Sequence, residues 1–124
     1  MGKGNKVLIV EDEIMIAMLY KSNLEKSGYH VFEPVESGEK AIEAVKEKGP
    51  HLILMDICLG LGIDGVEAAK EILEIDNKIK IIFISGYGDD ATIKRIEELG
   101  AYQLVAKPVT IKRLMEIIEK EMAH

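Results

Sequence analysis

The chain alternates between short runs of consecutive apolar residues and longer stretches in which apolar and charged residues mix. The clearest apolar runs are residues 7–10, 52–55 and 81–84, and the second of them ends on Asp56. An apolar run without polar alternation is typical of a strand covered on both faces, as in the centre of a parallel sheet. The mixed stretches carry apolar residues at helical spacing, which is typical of amphipathic helices.

Each predicted strand is followed by a predicted helix, five times along the chain. Gly28, Gly49 and Gly100 follow the helical stretches, and glycine is a common helix terminator. Ser37 and Asp64 stand where helices begin, so their side chains are predicted to cap those helices. The predicted strands cover residues 6–10, 29–35, 51–56, 80–84 and 102–105, and the predicted helices cover about 13–26, 37–48, 66–75 and 89–99, with a last helix from 110.

Strands that alternate with helices at this spacing predict an α/β fold with a parallel sheet and helices on both faces. The second strand contains Glu33 and Pro34 and the fifth contains Gln103, whereas the interiors of the other three are wholly apolar. Wholly apolar strands belong in the centre of such a sheet. We therefore predict a flavodoxin-like doubly wound sheet of five strands in the order 2-1-3-4-5, with five helices and a switch point between the first and third strands.

The composition is that of one globular domain, residues 1–124, predicted to be ordered over about 5–122. The 16 basic and 22 acidic residues give a net charge of -6, which argues against direct binding of nucleic acid. No stretch resembles a signal peptide or a membrane span, so we predict no membrane association and a cytoplasmic location. The single cysteine, Cys58, cannot form an internal disulfide, in keeping with a reducing compartment.

Acidic side chains follow two neighbouring strands of the predicted sheet. Glu11 and Asp12 come directly after the first strand, and Asp56 ends the third. These strand ends meet at the switch point, where sheets of this kind bind their ligands. Clustered carboxylates repel one another unless a cation or a shared proton intervenes, and Mg2+ prefers such oxygen ligands. The alternative for Glu11 and Asp12 is an acidic turn that favours the start of the following helix.

The fourth and fifth strands bring a hydroxyl and an ammonium to the same edge of the sheet. Ser85 follows the fourth strand and Lys107 follows the fifth. Both side chains are hydrogen-bond donors that can hold phosphoryl oxygens. Together with Asp12 and Asp56 they supply a carboxylate nucleophile, a metal site and donors for spread negative charge. These are the requirements of phosphoryl transfer.

Over essentially its whole length the chain resembles the receiver domain of two-component response regulators. The resemblance implies that Asp56 is the phosphoacceptor. It also implies that Asp12, Asp56 and the backbone carbonyl of Cys58 bind Mg2+, and that Glu11 acts mostly through metal-bound water. The motifs that carry the resemblance are Glu11-Asp12, Met55-Asp56 with Asp64-Gly65, Ser85-Gly86 and Lys107-Pro108.

The same resemblance assigns roles to the remaining site residues and to partners. Ser85 would be the switch hydroxyl, Lys107 would pair with the phosphate, and the bond from Lys107 to Pro108 is expected to be cis. A sensor histidine kinase or a histidine phosphotransfer protein would supply the phosphoryl group. Phosphorylation would switch contacts with a downstream protein on the face formed by the fourth helix, fifth strand and last helix. The chain would catalyse only its own phosphorylation and dephosphorylation, either alone or as part of a longer protein.

The chain departs from the common receiver pattern at the switch aromatic. Many receivers carry an aromatic residue three positions before the lysine, where this chain has Leu104. Tyr102 is the nearest aromatic residue and is interpreted as a packed edge-strand side chain. Phe83, Gly86 and Tyr87 match part of the Phe-Ala-Thr-Gly-Tyr motif of a receiver subgroup. Tyr87 is also a candidate shield of the acyl phosphate against water.

Three other classes of protein share parts of this pattern. A flavodoxin-like cofactor binder needs a phosphate loop rich in Ser, Thr or Gly after the first strand, where this chain is acidic. A haloacid-dehalogenase-like phosphatase needs a second acid two positions after its nucleophile, where this chain has Cys58. A pseudo-receiver would keep the fold for protein contacts without phosphorylation. His30, His51 and His124 are interpreted as ordinary polar residues and not as phosphoacceptors.

Overall fold

The computed structural model describes residues 5–57, 62–86, 90–100 and 103–123. Strands and helices alternate strictly through this part of the chain. The elements are β1 (Lys6–Val10), α1 (Ile14–Lys26), β2 (His30–Val31), α2 (Gly38–Lys48), β3 (Leu52–Asp56), α3 (Gly65–Ile75), β4 (Lys80–Ser85), α4 (Asp90–Glu97), β5 (Gln103–Ala106) and α5 (Ile111–Met122).

The strands form one parallel sheet in the order β2-β1-β3-β4-β5. β3 lies between β1 and β4, and all of its residues are buried. The register pairs Val10 with Met55 and Asp56 with Ile84, so the carboxyl ends of the three central strands lie side by side. The predicted fold, the strand order and the central position of the apolar strands are confirmed.

Helices cover both faces of the sheet. On one face α2, α3 and α4 pack over strand residues such as Leu8, Ile53 and Phe83. On the other face α1 and α5 pack over the intervening residues, which include Ile9 and Leu54. Because successive strand side chains point to opposite faces, a strand covered on both sides needs apolar residues at every position. This requirement explains the unbroken apolar runs in the sequence.

In the part of the chain that the structure describes, side chains cap the start of α2, α3 and α5. Ser37 Oγ accepts a hydrogen bond from the N–H of Lys40 at 3.2 Å, and Asp64 Oδ1 accepts one from the N–H of Glu67 at 2.8 Å. Thr110 caps α5 in the same way. Such caps satisfy N–H groups that have no partner within the helix. The caps predicted at Ser37 and Asp64 are confirmed.

The second strand is shorter than the predicted 29–35. Its regular pairing covers only His30–Val31, and a single bridge between Val10 and Val35 continues the contact with β1. Pro34 has no N–H to donate, so the ladder is interrupted before that bridge. The other predicted boundaries that fall within the described residues agree with the structure to within one or two residues.

Some predictions fall on residues that the structure does not describe. Cys58, Tyr87, Tyr102 and His124 lie outside the described residues, so what was expected of them stays a prediction. The expected cis peptide bond between Lys107 and Pro108 is present. Among the described residues, no helix combines the length and hydrophobicity needed to cross a membrane.

Candidate functional site

Three carboxylates meet at the switch point of the sheet. Each of Glu11, Asp12 and Asp56 offers an oxygen that lies within 4.8 Å of the oxygens offered by the other two. Glu11 is only 4% exposed and Asp56 only 5%, whereas Asp12 is open to solvent. Two of the three negative groups are therefore held together away from water.

The backbone fixes both buried carboxylates. Glu11 leaves β1 with its N–H donating to the carbonyl of Val35 at 3.0 Å, and its Oε2 accepts from the N–H of Glu13 at 3.1 Å. After Asp56, the N–H of Ile57 donates to the carbonyl of Ile84 at 3.1 Å. The acidic cluster is thus built from the ends of paired strands and not from a mobile loop.

Burial and repulsion by Asp56 change the acidity of Glu11. Burial is the main cause that raises the pKa of Glu11 from its ordinary 4.5 to about 7, and the negative charge of Asp56 raises it further. The hydrogen bond from Glu13 and the positive charge of Lys107 act in the opposite direction. Carboxylates that are buried together and repel one another form the kind of oxygen cluster that a divalent cation stabilises.

Ser85 and Lys107 approach the same cluster from β4 and β5. Ser85 is buried at the end of β4, and its carbonyl accepts a hydrogen bond from the N–H of Lys107 at 2.7 Å. Lys107 Nζ lies 3.9 Å from Asp56 Oδ1, and the lysine side chain is 31% exposed. This ion pair is long, so the ammonium lies near the carboxylate of Asp56 without a close hydrogen bond to it.

The turn after β3 passes very close to Asp56. A Cβ atom on Gly65 would lie 2.5 Å from the carbonyl oxygen of Asp56 and 3.1 Å from the Cα of Ile57. Gly65 is the first residue of α3, and the preceding Asp64 is the cap of that helix. The glycine therefore lets the helix start pack directly on the backbone of the candidate nucleophile.

Asp64 also ties this turn to α4. Its two carboxylate oxygens accept from Arg95 Nη1 at 3.0 Å and Nη2 at 3.1 Å, a bidentate pair. Burial alone would raise the pKa of Asp64, but the hydrogen bonds from Arg95 and from the N–H of Glu67 lower it. The sequence predicted the cap but not the ion pair, because nothing in the spacing of residues 64 and 95 indicates that they meet.

Tyr20 is a second neighbour of the site that sequence analysis did not single out. It lies on the buried face of α1 with Ala17 and Leu24, and its side chain is 8% exposed. Burial is the main cause that raises its pKa, and the charges of Glu11 and Asp56 raise it further. The helical spacing of residues 17, 20 and 24 was a signal for the buried face, but not for a hydroxyl near the carboxylates.

The sequence-predicted site residues within the described part of the chain converge. Glu11, Asp12, Asp56, Ser85 and Lys107 all lie at the carboxyl edge of the sheet, as the strand order requires. The arrangement offers a carboxylate nucleophile, an oxygen-rich cation site, and hydroxyl and ammonium donors for a transferred anionic group. A doubly wound sheet with this set at its switch point defines the class of phosphoacceptor signalling domains.

The chain belongs to the response regulator receiver domain family, whose family model matches residues 7–119. The chemotaxis protein CheY of Bacillus subtilis (strain 168) is 35% identical over 119 residues, which cover 96% of this chain and 98% of that protein. Sporulation initiation phosphotransferase F of the same organism is 34% identical over 117 residues, which cover 94% of this chain and 93% of that protein. These similarities therefore run through nearly all of the chain.

Solved structures show the same relationship. The crystal structure of a CheY-like response regulator receiver domain protein from Methanospirillum hungatei JF-1 matches with a TM-score of 0.90 at 26% identity, covering 96% of this chain and 94% of that one. The chain is thus a phosphoacceptor receiver domain of two-component signalling, and the pseudo-receiver and flavodoxin-like alternatives are not favoured. Receiver domains are in general not classical enzymes, and those of this kind interact with kinases and downstream targets.

Proposed function

We propose that Asp56 accepts a phosphoryl group from a phosphohistidine on a sensor histidine kinase or a histidine phosphotransfer protein. The observation that carries this assignment is the position of its carboxylate. Asp56 is buried at the end of the central strand, within 4.8 Å of two other carboxylates and 3.9 Å from the ammonium of Lys107. No other acidic residue among those described combines these contacts.

The reaction is an in-line displacement at phosphorus. An oxygen of Asp56 forms a bond to the phosphorus while the bond from phosphorus to the imidazole nitrogen breaks, and the nitrogen keeps that electron pair. Lys107 would pair with the oxygens of the transferred group, and the Ser85 hydroxyl would donate to one of them. Hydrolysis of the acyl phosphate then releases inorganic phosphate and restores the carboxylate of Asp56. These steps are the extent of the catalysis we propose for the chain.

Mg2+ is the cofactor we propose for this transfer. Glu11, Asp12 and Asp56 would hold it, with the backbone carbonyl of Cys58 as a further ligand and Glu11 acting mostly through metal-bound water. Their chemistry fits, since clustered carboxylate oxygens suit a hard divalent cation. Burial, and to a smaller extent the negative charge of Asp56, raises the pKa of Glu11, and a cation bound there would favour its ionised form. When bound, the ion would neutralise charge on the carboxylates and on the transferred oxygens.

The phosphoryl donor is proposed to dock on α1, next to the site. Ile14, Met15, Met18 and Leu19 form an apolar surface there, and Met15 is 83% exposed. Contiguous exposed apolar side chains mark surfaces that bind other proteins. Because α1 starts at the carboxyl edge of the sheet, a helix of the donor that covers this surface would lie beside Asp56.

The output surface is proposed to be the face formed by α4, β5 and α5. Phosphorylation adds about -1.5 to -2 charges next to Ser85, and an inward movement of this hydroxyl would pull on the segment that leads to α4. A groove of about 410 Å3 lies between β5 and α5, lined by residues that include Leu104, Arg113 and Ile117. Leu104 occupies the usual place of the switch aromatic, so an aliphatic side chain would carry the change here.

The remaining parts of the proposal concern the chain as a whole. We propose that residues 1–124 act as a single receiver domain in the cytoplasm, and the single cysteine agrees with a reducing compartment. The net charge of -6 favours protein partners over direct contact with nucleic acid. Membership of the subgroup with the Phe-Ala-Thr-Gly-Tyr-like motif, and the shielding role of Tyr87, stay predictions.

Intact-mass measurement after incubation with Mg2+ and a small acyl phosphodonor tests the proposal. The wild-type chain should gain one phosphoryl group, and prior addition of a chelator should prevent the gain. Asp56→Asn should gain none, whereas Glu43→Gln, a control at an exposed acid on α2, should behave like wild type. A phosphoryl group on Asp56→Asn, or none on wild type, would contradict the proposal.

A further inference from the structure

Tyr20 lies on α1, the helix that begins next to the site. Its position on the buried face of the helix places the ring in the core between α1 and the sheet, among residues such as Ile9, Leu54 and Ile84. Helical side chains lean toward the N-terminus of their helix. For α1 that direction is the carboxyl edge of the sheet, where Glu11 and Asp56 lie.

A pocket joins Tyr20 to the candidate site. The pocket has a volume of about 510 Å3 and lies between α1 and the turn that follows β5. Tyr20 lines it together with Lys107, Gly86 and Pro108, and the rest of the lining is mostly apolar. Two of these residues therefore belong to the strand ends that surround Asp56, since Gly86 follows Ser85 and Lys107 pairs with Asp56.

The hydroxyl of Tyr20 has no hydrogen-bond partner among the described residues, although the side chain is 92% buried. In the same part of the chain, every side-chain nitrogen or oxygen sealed from solvent does have a partner. The hydroxyl is therefore not sealed in the core and opens into the pocket. A phenylalanine or leucine would fill the core without an unpaired polar atom, so packing alone does not account for the hydroxyl.

Electrostatics make this hydroxyl a donor. Burial is the main cause that raises the pKa of Tyr20, and the charges of Glu11 and Asp56 contribute, so the group keeps its proton at neutral pH. Both carboxylates are therefore close enough for their charges to act on the phenol. A phosphoryl group on Asp56 would place further negative charge in front of the same donor.

We propose that the Tyr20 hydroxyl, from the pocket that Tyr20 lines together with Lys107, donates a hydrogen bond to the phosphoryl group carried by Asp56. This inference rests on the phosphoacceptor function proposed above. Tyr20 would be a third donor to the phosphoryl group, a neutral one from α1, beside the ammonium of Lys107 and the hydroxyl of Ser85. The bond forms only with the phosphorylated state, so it stabilises that state relative to the free carboxylate.

The test measures binding of fluoroberyllate, a non-hydrolysable mimic of the phosphoryl group, by NMR titration in the presence of Mg2+. Tyr20→Phe keeps the ring and removes only the hydroxyl. Tyr29→Phe is the matched control, because Tyr29 packs against the same core and its pKa is raised chiefly by burial and by Glu119, not by the site carboxylates. Titration with Mg2+ alone is carried out on each variant.

Tyr20→Phe should bind fluoroberyllate about ten- to a hundredfold more weakly than wild type, the effect of losing one hydrogen bond to an anionic group. Tyr29→Phe should match wild type, and Mg2+ affinity should be unchanged in both variants. Equal fluoroberyllate affinity for Tyr20→Phe and wild type would overturn the inference. Weaker Mg2+ binding by Tyr20→Phe would also overturn it, because the effect would then be structural. If wild type binds no fluoroberyllate and gains no phosphoryl group, the proposed function itself is wrong.

Discussion

The amino edge and the carboxyl edge of the sheet, where the strands begin and end, differ in how their polar groups are paired. At the amino edge, Lys6 N–H donates to His51 Nδ1 at 3.2 Å, and His51 N–H donates to the carbonyl of Lys6 at 2.8 Å. Lys80 N–H donates to the carbonyl of His51 at 3.0 Å, and its ammonium donates to the carbonyl of Glu121. At the carboxyl edge, Glu11 and Asp56 are buried side by side with like charge.

This contrast separates residues that stabilise the fold from residues that prepare it for a ligand. Lys6, His51 and Lys80 at the amino edge are joined by hydrogen bonds within the protein. The acids of the carboxyl edge have Lys107 as a nearby cation, and its ammonium is 3.9 Å from Asp56 Oδ1. Burying like charges together costs stability that a bound cation or phosphoryl group would restore. The carboxyl edge is therefore the place where binding and folding are coupled.

The largest expected effect comes from the backbone contact beneath Asp56. Gly65→Ala should destabilise the protein by about 3 kcal/mol, because the added Cβ would lie 2.5 Å from a backbone carbonyl that cannot move freely. Urea unfolding gives the free energy directly. Gly86→Ala is the control, since a Cβ on Gly86 would meet nothing within 4 Å. Similar stability for the two variants would show that α3 does not constrain the turn at Asp56.

The second effect is a pH dependence that should belong to the carboxyl edge alone. The folded state holds the proton of Glu11 with a pKa of about 7, against 4.5 for the ordinary group. The folded state therefore binds more protons between these values, and its stability falls as the pH rises through them. Without divalent cations, Glu11→Gln should be more stable than wild type by about 3 kcal/mol at neutral pH.

Urea unfolding of wild type and Glu11→Gln across this pH range measures the effect. The two free energies should converge near pH 4.5, where the glutamate is protonated in the folded protein. Glutamine still accepts the hydrogen bond from the N–H of Glu13, so the comparison isolates the charge. A constant difference at every pH would mean that repulsion from Asp56 and burial of Glu11 do not set the stability of this edge.

The smallest effect is expected at the amino edge. His51→Ala removes the acceptor of the Lys6 N–H and should cost about 0.5–1 kcal/mol, the value of one exposed hydrogen bond. Phosphorylation by a small acyl phosphodonor should proceed as in wild type, because His51 lies at the opposite end of β3 from Asp56. A loss of phosphorylation in this variant would show that the amino edge also contributes to the phosphoacceptor site.

Most of the fold follows from the sequence because the apolar runs are long and their interiors are free of polar residues. Strands β1, β3 and β4 had to be central, and the strand order then placed Glu11, Asp56, Ser85 and Lys107 at one edge. The predicted length of β2 was wrong. The pattern of residues 29–35 does not show how far pairing continues past Pro34, since that depends on the path of the neighbouring strand.

The sequence did not predict some contacts between residues that are distant along the chain. Each of these residues already had a local role that explained its side chain. Asp64 was explained by its cap, so its pair with Arg95 gave no signal. Tyr20 fitted the buried face of an amphipathic helix, and only the folded chain brings its hydroxyl to a pocket shared with Lys107. Such contacts depend on packing in three dimensions and not on spacing.

The central claim is that Asp56, at the carboxyl end of β3, is the phosphoacceptor. Mapping the phosphoryl group along the chain tests this claim most directly. After reaction with a small acyl phosphodonor and Mg2+, borohydride reduces an aspartyl phosphate to homoserine, which tandem mass spectrometry locates in the chain. We expect homoserine at residue 56 alone, and none when Mg2+ is omitted. Modification at Glu11, at Asp12 or at any acid outside this site, with residue 56 intact, would contradict the claim.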